Sequence, residues 1–251
     1  MSQGTLSLQG KVALVTGAAK RIGAAIARKL HAEGATVVIH YANSVDTAAS
    51  LVAELNATRA NSCFGHAALL GNIDGLSEMI VEVTTFTGRL DILVNNASSF
   101  YPTPIGEINE SDWDKLFDSN LKGPLFLSQA AAPYLKQTAG CIINMVDIHA
   151  ERPLVGHTVY CSAKAGLVML TKSLALELGP DVRVNGVAPG IIIWPEGDQD
   201  ETLQGNLLAR TALKRKGSAN DIVDTVLFLV RDATYITGQI IAVDGGRTLN
   251  Q

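Results

Sequence analysis

Short apolar, β-branched runs alternate along this chain with longer segments in which apolar residues recur every three to four positions. Residues 12–16, 36–40, 62–67, 91–95, 141–146, 183–187 and 239–243 form the first set and predict seven strands. Residues 22–33, 46–59, 76–87, 112–136, 159–178 and 219–230 carry the helical period and predict six helices between them. The strand runs are continuously apolar rather than alternating, which is expected where both faces of a sheet are covered. Repeated strand–helix alternation predicts βαβ units, hence a parallel seven-stranded sheet with helices on both faces. No linker, low-complexity tract or internal repeat interrupts the pattern. Residues 1–251 are therefore expected to form a single Rossmann-type, doubly wound α/β domain.

In such a sheet, ligands lie beyond the carboxyl ends of the strands. Gly17 follows the first strand, His40 ends the second, Asn96 follows the fourth, Asp147 the fifth and Pro189 the sixth. After the first strand the chain reads Thr16-Gly17-Ala18-Ala19-Lys20-Arg21-Ile22-Gly23. Two glycines six apart, between a strand and a helix, predict a turn that opens backbone N–H groups to a pyrophosphate; an ordinary tight turn is the alternative. Arg21 adds a cation there, and its guanidinium can also hydrogen-bond a substrate oxygen. At the end of the second strand, NAD sites commonly place an acid for the ribose 2′-hydroxyl. Here His40-Tyr41-Ala42-Asn43-Ser44 offers neutral groups and no carboxylate before Asp46, which favours NADPH. Asn43 or Ser44 would also serve as a helix N-cap.

The stretch 146–164 holds the candidate chemistry. Tyr160 and Lys164 lie four apart, so on a helix they share a face. A neighbouring ammonium is expected to lower the phenol pKa from about 10, making Tyr160 a proton donor or acceptor near neutrality. Asp147 directly follows the apolar strand and reads as a proton carrier or as a capping acid. Phe100 follows two serines in a loop on the same side of the sheet, either as core or as a platform for a flat ligand.

With 251 residues, 47% of them hydrophobic, the chain can bury one large core. A net charge of −4 with scattered Lys and Arg argues against a nucleic-acid partner. Cys63, Cys141 and Cys161 are odd in number and lack metal-ligand spacing, which implies free thiols, a reducing compartment and no metal. The first ten residues show no basic region followed by an apolar one, and no apolar run approaches the ~20 residues that span a bilayer. A soluble, cytoplasmic protein without a membrane partner is the expectation.

Over essentially its full length the chain resembles the short-chain dehydrogenase/reductases, through TGAAKRIG at 16–23, NNAS at 95–98, Asn120, YCSAK at 160–164, VNGVAPG at 184–190 and Asp244-Gly245-Gly246. A narrower resemblance is to the pteridine reductases, in Arg21, in the His40-to-Ser44 stretch, in NASSFYPTP at 96–104 and in Asp147 where most of the family has serine. The resemblance implies that Tyr160 donates a proton, Lys164 holds the nicotinamide ribose, Asp147 assists protonation and Asn120 steadies the lysine through a water. It implies a cofactor held by Gly17, Lys20, Arg21, Ile22 and Gly23 at the first turn. His40, Tyr41, Asn43 and Ser44 would serve at the second, and Asn96, Ala97 and Ser98 at the fourth. Pro189, Gly190 and Ile192 would complete the site beside Tyr160 and Lys164. A pterin or folate substrate would meet Arg21, Ser98, Phe100, Asp147 and Tyr160. By its position the segment at about 189–212 would either cover the substrate as a lid, with Trp194 on it, or form a surface loop. Ala68 stands where the family usually keeps an aspartate near the adenine. A homotetramer is implied as well. A carbonyl reductase such as a 3-oxoacyl-carrier-protein reductase is the alternative activity. A non-catalytic NADP-binding regulator would be marked by loss of Tyr160 or Lys164, and both are present.

Overall fold

A computed structural model describes residues 7–193 and 201–249. All seven predicted strands form: β1 Val12–Val15, β2 Thr36–Tyr41, β3 Cys63–Ala67, β4 Ile92–Asn95, β5 Cys141–Met145, β6 Arg183–Pro189 and β7 Ile240–Val243. They make one parallel sheet in the order β3-β2-β1-β4-β5-β6-β7. The chain direction of winding reverses between β1 and β4, which opens a crevice at their carboxyl ends.

The helices are α1 Arg21–Ala32, α2 Val45–Thr58, α3 Ile73–Thr87, α4 Glu110–Phe117, α5 Gly123–Gln137, α6 Thr158–Leu178, α7 Glu201–Ala209 and α8 Ala219–Arg231. Along β1, Ala13 and Val15 pack into one core with Ile26, Leu30 and Val226 of α1 and α8. Val12 and Leu14 pack into a second core with Leu76, Ile80, Leu127 and Leu174 of α3, α5 and α6. Successive side chains of a strand point to opposite faces, so two helix layers demand apolar residues at every position. Leu14→Ala would cost about 2–5 kcal/mol, since the residue is fully buried between strand and helices. The rule of continuous apolarity fails at the sheet edges. β3 has one buried residue in five and β7 none in four, because the helix layers run out there.

The single helix expected over 112–136 is two helices joined by a π-helical turn, Asp118–Lys122, in which the Gly123 N–H reaches back to the Asp118 carbonyl. Pro124 supplies the cause. It has no N–H to give to the carbonyl four residues earlier, that of Asn120, so the regular ladder cannot run through. α7 lies within the segment expected to be a lid, while Trp194 and the rest of 194–200 lie outside the described residues.

A buried polar ladder crosses from sheet to helix. Asn95 Nδ2 donates to Asn144 Oδ1 at 2.8 Å, and Asn144 Nδ2 donates to Thr171 Oγ1 on α6 at 2.9 Å. Among the described helices α6 alone is long and apolar enough to cross a membrane by composition, and here it packs against β6 as a core element.

Candidate active site

The turn after β1 is built for close approach. Gly17 has φ +60°, and a Cβ there would sit 2.8 Å from Ala97 Cα. A Cβ on Gly23 would sit 2.4 Å from the Gly17 carbonyl oxygen. Both positions therefore require glycine. Thr16 Oγ1 accepts from the N–H groups of Asn96 and Ala97 at 2.9 and 3.0 Å. Asn96 Nδ2 donates to the carbonyls of Thr16 and Gly17 at 2.8 and 3.2 Å. The first and fourth turns are thus clamped together across the crevice.

α1 opens here with Lys20 at its N-cap and no side-chain cap. The N–H groups of Arg21, Ile22 and Gly23 belong to a first helical turn, which has no internal partners and attracts anions. Arg21 has φ +56°, an unusual conformation for a side-chain-bearing residue, and its guanidinium is exposed. The uncapped N–H groups at the start of α1 suit a dinucleotide pyrophosphate, and Gly17 and Gly23 let the two turns pack closely enough to present them.

At the end of β2 the structure corrects one assignment. His40 is 1% exposed, with Nδ1 accepting from the Gly17 N–H at 3.2 Å and Nε2 bonded to the Ala68 carbonyl at 3.1 Å. Both ring nitrogens are spent beneath the loop, so the side chain does not face a cofactor. Tyr41 is half-buried against the core, and Asn43 is exposed. Ser44 stands at the N-cap of α2, yet its hydroxyl makes no capping bond. The start of α2 offers the Ser44 hydroxyl and first-turn N–H groups, with Asp46 as the acid of that turn.

The catalytic candidates converge at the ends of β5 and α6. Asp147 Oδ1 accepts from the His149 N–H at 2.8 Å, the capping role, while Oδ2 accepts from the Tyr160 hydroxyl at 2.8 Å. The two readings of Asp147 therefore coexist on its two oxygens. Lys164 is 2% exposed and donates to the Met145 carbonyl at 2.8 Å, with Nζ 5.7 Å from the Tyr160 ring centre. Burial, then the charge of Asp147 and the hydrogen bond to it, push the Tyr160 phenol well above its ordinary pKa. This corrects the expected lowering. The group that touches the phenol is the carboxylate, and the ammonium is turned toward the strand. Burial also pulls Lys164 down to about 8, against the opposing charge of Asp147. A protonated phenol across the neutral range is a proton donor.

Asn120 is fully buried in the π turn. Its Nδ2 donates to the carbonyls of Ser99 and Leu116, both at 2.9 Å, and its Oδ1 accepts from the Ser98 hydroxyl at 2.7 Å. The side chain thus anchors the loop after β4, a job that the sequence did not reveal; Pro124 was the one available signal.

Phe100 is half-exposed and packs edge-on against Tyr160, with ring centres 4.8 Å apart. On its other side it stacks on His157 at 4.7 Å and 14°. Sequence reasoning gave His157 no role; here it backs the candidate platform. The Thr103 N–H donates to the Gly156 carbonyl and ties the two loops together. Pro189 ends β6, and Gly190 packs so closely on Asp244 that a Cβ would sit 2.7 Å from its Cα. Ile192 packs into the core and also lines a pocket with Gly217, Asp244 and Gly245. Cys63, Cys141 and Cys161 are buried free thiols, and burial pushes Cys63 up to about 12 and Cys141 to about 11. Neither of those two is poised as a nucleophile.

A family model described as enoyl-(acyl carrier protein) reductase matches residues 17–248. The chain is 42% identical to pteridine reductase 1 of Leishmania tarentolae, over 98% of this chain and 99% of that protein. It is 40% identical to a 3-oxoacyl-acyl-carrier-protein reductase of Staphylococcus aureus (94% of this chain, 97% of that one). A reductase of the same description from Thermotoga maritima is 36% identical, over 96% and 99%.

Proposed function

This chain belongs to the short-chain dehydrogenase/reductase family of oxidoreductases, and within it we propose NADPH-dependent reduction of a pterin ring C=N bond. A dihydropterin, and dihydrofolate beside it, would be taken to the tetrahydro form. The observation that carries this reading is the hydrogen bond from Tyr160 to Asp147. Reduction of a C=O or of a C=N bond takes up one hydride and one proton alike, at oxygen in the first case and at nitrogen in the second. A carboxyl group at the cleft edge can relay that proton from water to a ring nitrogen, where a serine hydroxyl is a poor carrier. Asp147 is partly exposed and accepts the hydrogen bond of the phenol, which supports that relay.

NADPH, when bound, supplies the hydride to the ring carbon. Tyr160, kept protonated by burial, gives its proton toward the ring nitrogen and is reprotonated from Asp147. Lys164 would hold the nicotinamide ribose, and the Met145 carbonyl fixes where its ammonium stands. Phe100, steadied by His157, offers one open face to a flat heteroaromatic, for about 0.5–1.5 kcal/mol of stacking beyond buried area. Ser98 and Arg21 meet its polar edge. Ser44, Asn43 and the start of α2 would receive the 2′-phosphate. We further propose a cytoplasmic homotetramer, read out as a solution mass of four 26.5 kDa chains.

Reduction of a β-ketoacyl thioester is the second reading, favoured by relatives 36–40% identical that carry that description. NADPH oxidation against a panel of dihydropterins, folates and acetoacetyl thioesters separates the two. Turnover of the thioester alone would overturn the pterin assignment.

A further inference from the structure

We propose that His40 is a positioning residue for the adenosine-phosphate half of the cofactor, joining the turns after β1, β2 and β3 into one platform as its neutral Nε2–H tautomer. Residue 40 makes three bonds outside the strand ladder. Its carbonyl accepts from the Ala18 N–H at 2.9 Å, its Nδ1 accepts from the Gly17 N–H at 3.2 Å, and its Nε2 meets the Ala68 carbonyl at 3.1 Å. The next residue, Tyr41, accepts the Ala68 N–H at 3.1 Å.

The chemistry of the partners selects one state of the ring. An amide N–H needs a lone pair at Nδ1, and a carbonyl needs a proton at Nε2. The other neutral tautomer fails both bonds, and the cation sets N–H against N–H at Gly17. With the ring 1% exposed, water cannot replace either partner. Burial accordingly holds the imidazole pKa down to about 4.

The arrangement also answers the missing acid at residue 68. Both backbone groups of Ala68 are tied to residues 40 and 41, so this turn is shaped by main-chain bonds and needs no side chain of its own. The three turns that His40 links are those at the end of the crevice where the pyrophosphate and the adenosine ribose lie in this architecture. The inference rests on dinucleotide binding alone and is independent of the substrate.

The test divides the ring's two bonds. The Oδ1 of asparagine falls near the place of Nδ1, while the amide nitrogen of glutamine reaches the place of Nε2. His40→Asn keeps the Gly17 acceptor, His40→Gln keeps the Ala68 donor, and His40→Leu keeps neither. The Kd of NADPH and of 2′-phospho-ADP-ribose is measured by fluorescence titration and calorimetry. The expected result is a graded loss, about threefold for each single-bond variant and at least about tenfold for leucine, parallel for the two ligands. Wild-type affinity in His40→Leu would overturn the proposal, and so would equal loss in all three variants, with no rescue by either amide. Should the variants fail to fold, long-range ¹H–¹⁵N spectra of the wild-type histidines decide it. Between about pH 5 and 8, His40 must show an unprotonated Nδ1 that shifts when NADPH is added. A protonated Nδ1, or no response to NADPH, would sink it.

Discussion

At Tyr160 and Lys164, burial outweighs the attraction between neighbours, and it acts on the two residues in opposite directions. The phenol is held protonated and the ammonium is made easier to deprotonate. Replacing Tyr160 by Phe removes the donor but keeps the ring, so kcat should fall by about 10²–10⁴ while the Kd for NADPH stays within about threefold. Asp147→Ser should bind NADPH normally and lose at least about 10² in pterin turnover. Undiminished turnover in that variant would make Asp147 a cap and nothing more. For Lys164 the folded value of about 8 lies below the ordinary 10.5, so the folded state is penalised while the lysine is charged. The penalty is full below pH 8 and is relieved between 8 and 10.5, whereas turnover, which in the proposed role of Lys164 needs the cation, should fall as pH rises through 8. A displacement of that size corresponds to about 3 kcal/mol. Lys164→Met should therefore abolish activity yet raise the Tm of the cofactor-free protein by several degrees, as calorimetry can check.

Among the elements, strands were the most legible, because β1, β2, β4, β5 and β6 are covered on both faces and are mostly apolar, with a few buried polar residues such as His40, Asn95, Asn144 and Asn185 among them. The edge strands β3 and β7 broke the rule, having less helix above and below them. The glycine turn and the Tyr160–Lys164 pair were legible because their geometry is local. His40 was misread because its partners, Gly17 and Ala68, are 23 and 28 residues away and only the fold brings them to the ring. The pairing of Phe100 with His157 was hidden for the same reason. α7 escaped notice since its sequence, ETLQGNLLA, carries a glycine and no strong apolar stripe. The turn itself makes a sharp test. In Gly23→Ala the new methyl meets the Gly17 carbonyl and Asn96 Nδ2, at 2.4 and 2.5 Å. NADPH affinity should drop at least about tenfold, with little change in the far-UV spectrum of the folded chain.

For the whole molecule, a ligand seated between the first and fourth turns stabilises everything those turns belong to. NADPH at a hundred times its Kd should add about 2.7 kcal/mol, a rise in Tm of roughly 5–10 °C for a chain of this length. NADH at the same concentration should give a smaller rise; equal shifts would remove the case for a 2′-phosphate site at Ser44. The clamp between Thr16 and Asn96 has a further consequence, for the order in which the protein comes into being. Its two sides are 80 residues apart in the chain, and β1 pairs with β4 only after two complete βα units have been laid down between them. A nascent chain that has emerged only as far as β3 can close its β1–β2–β3 contacts but holds half a nucleotide cradle. Long loops close late in folding, so on dilution from denaturant helical signal should recover first and nucleotide binding last.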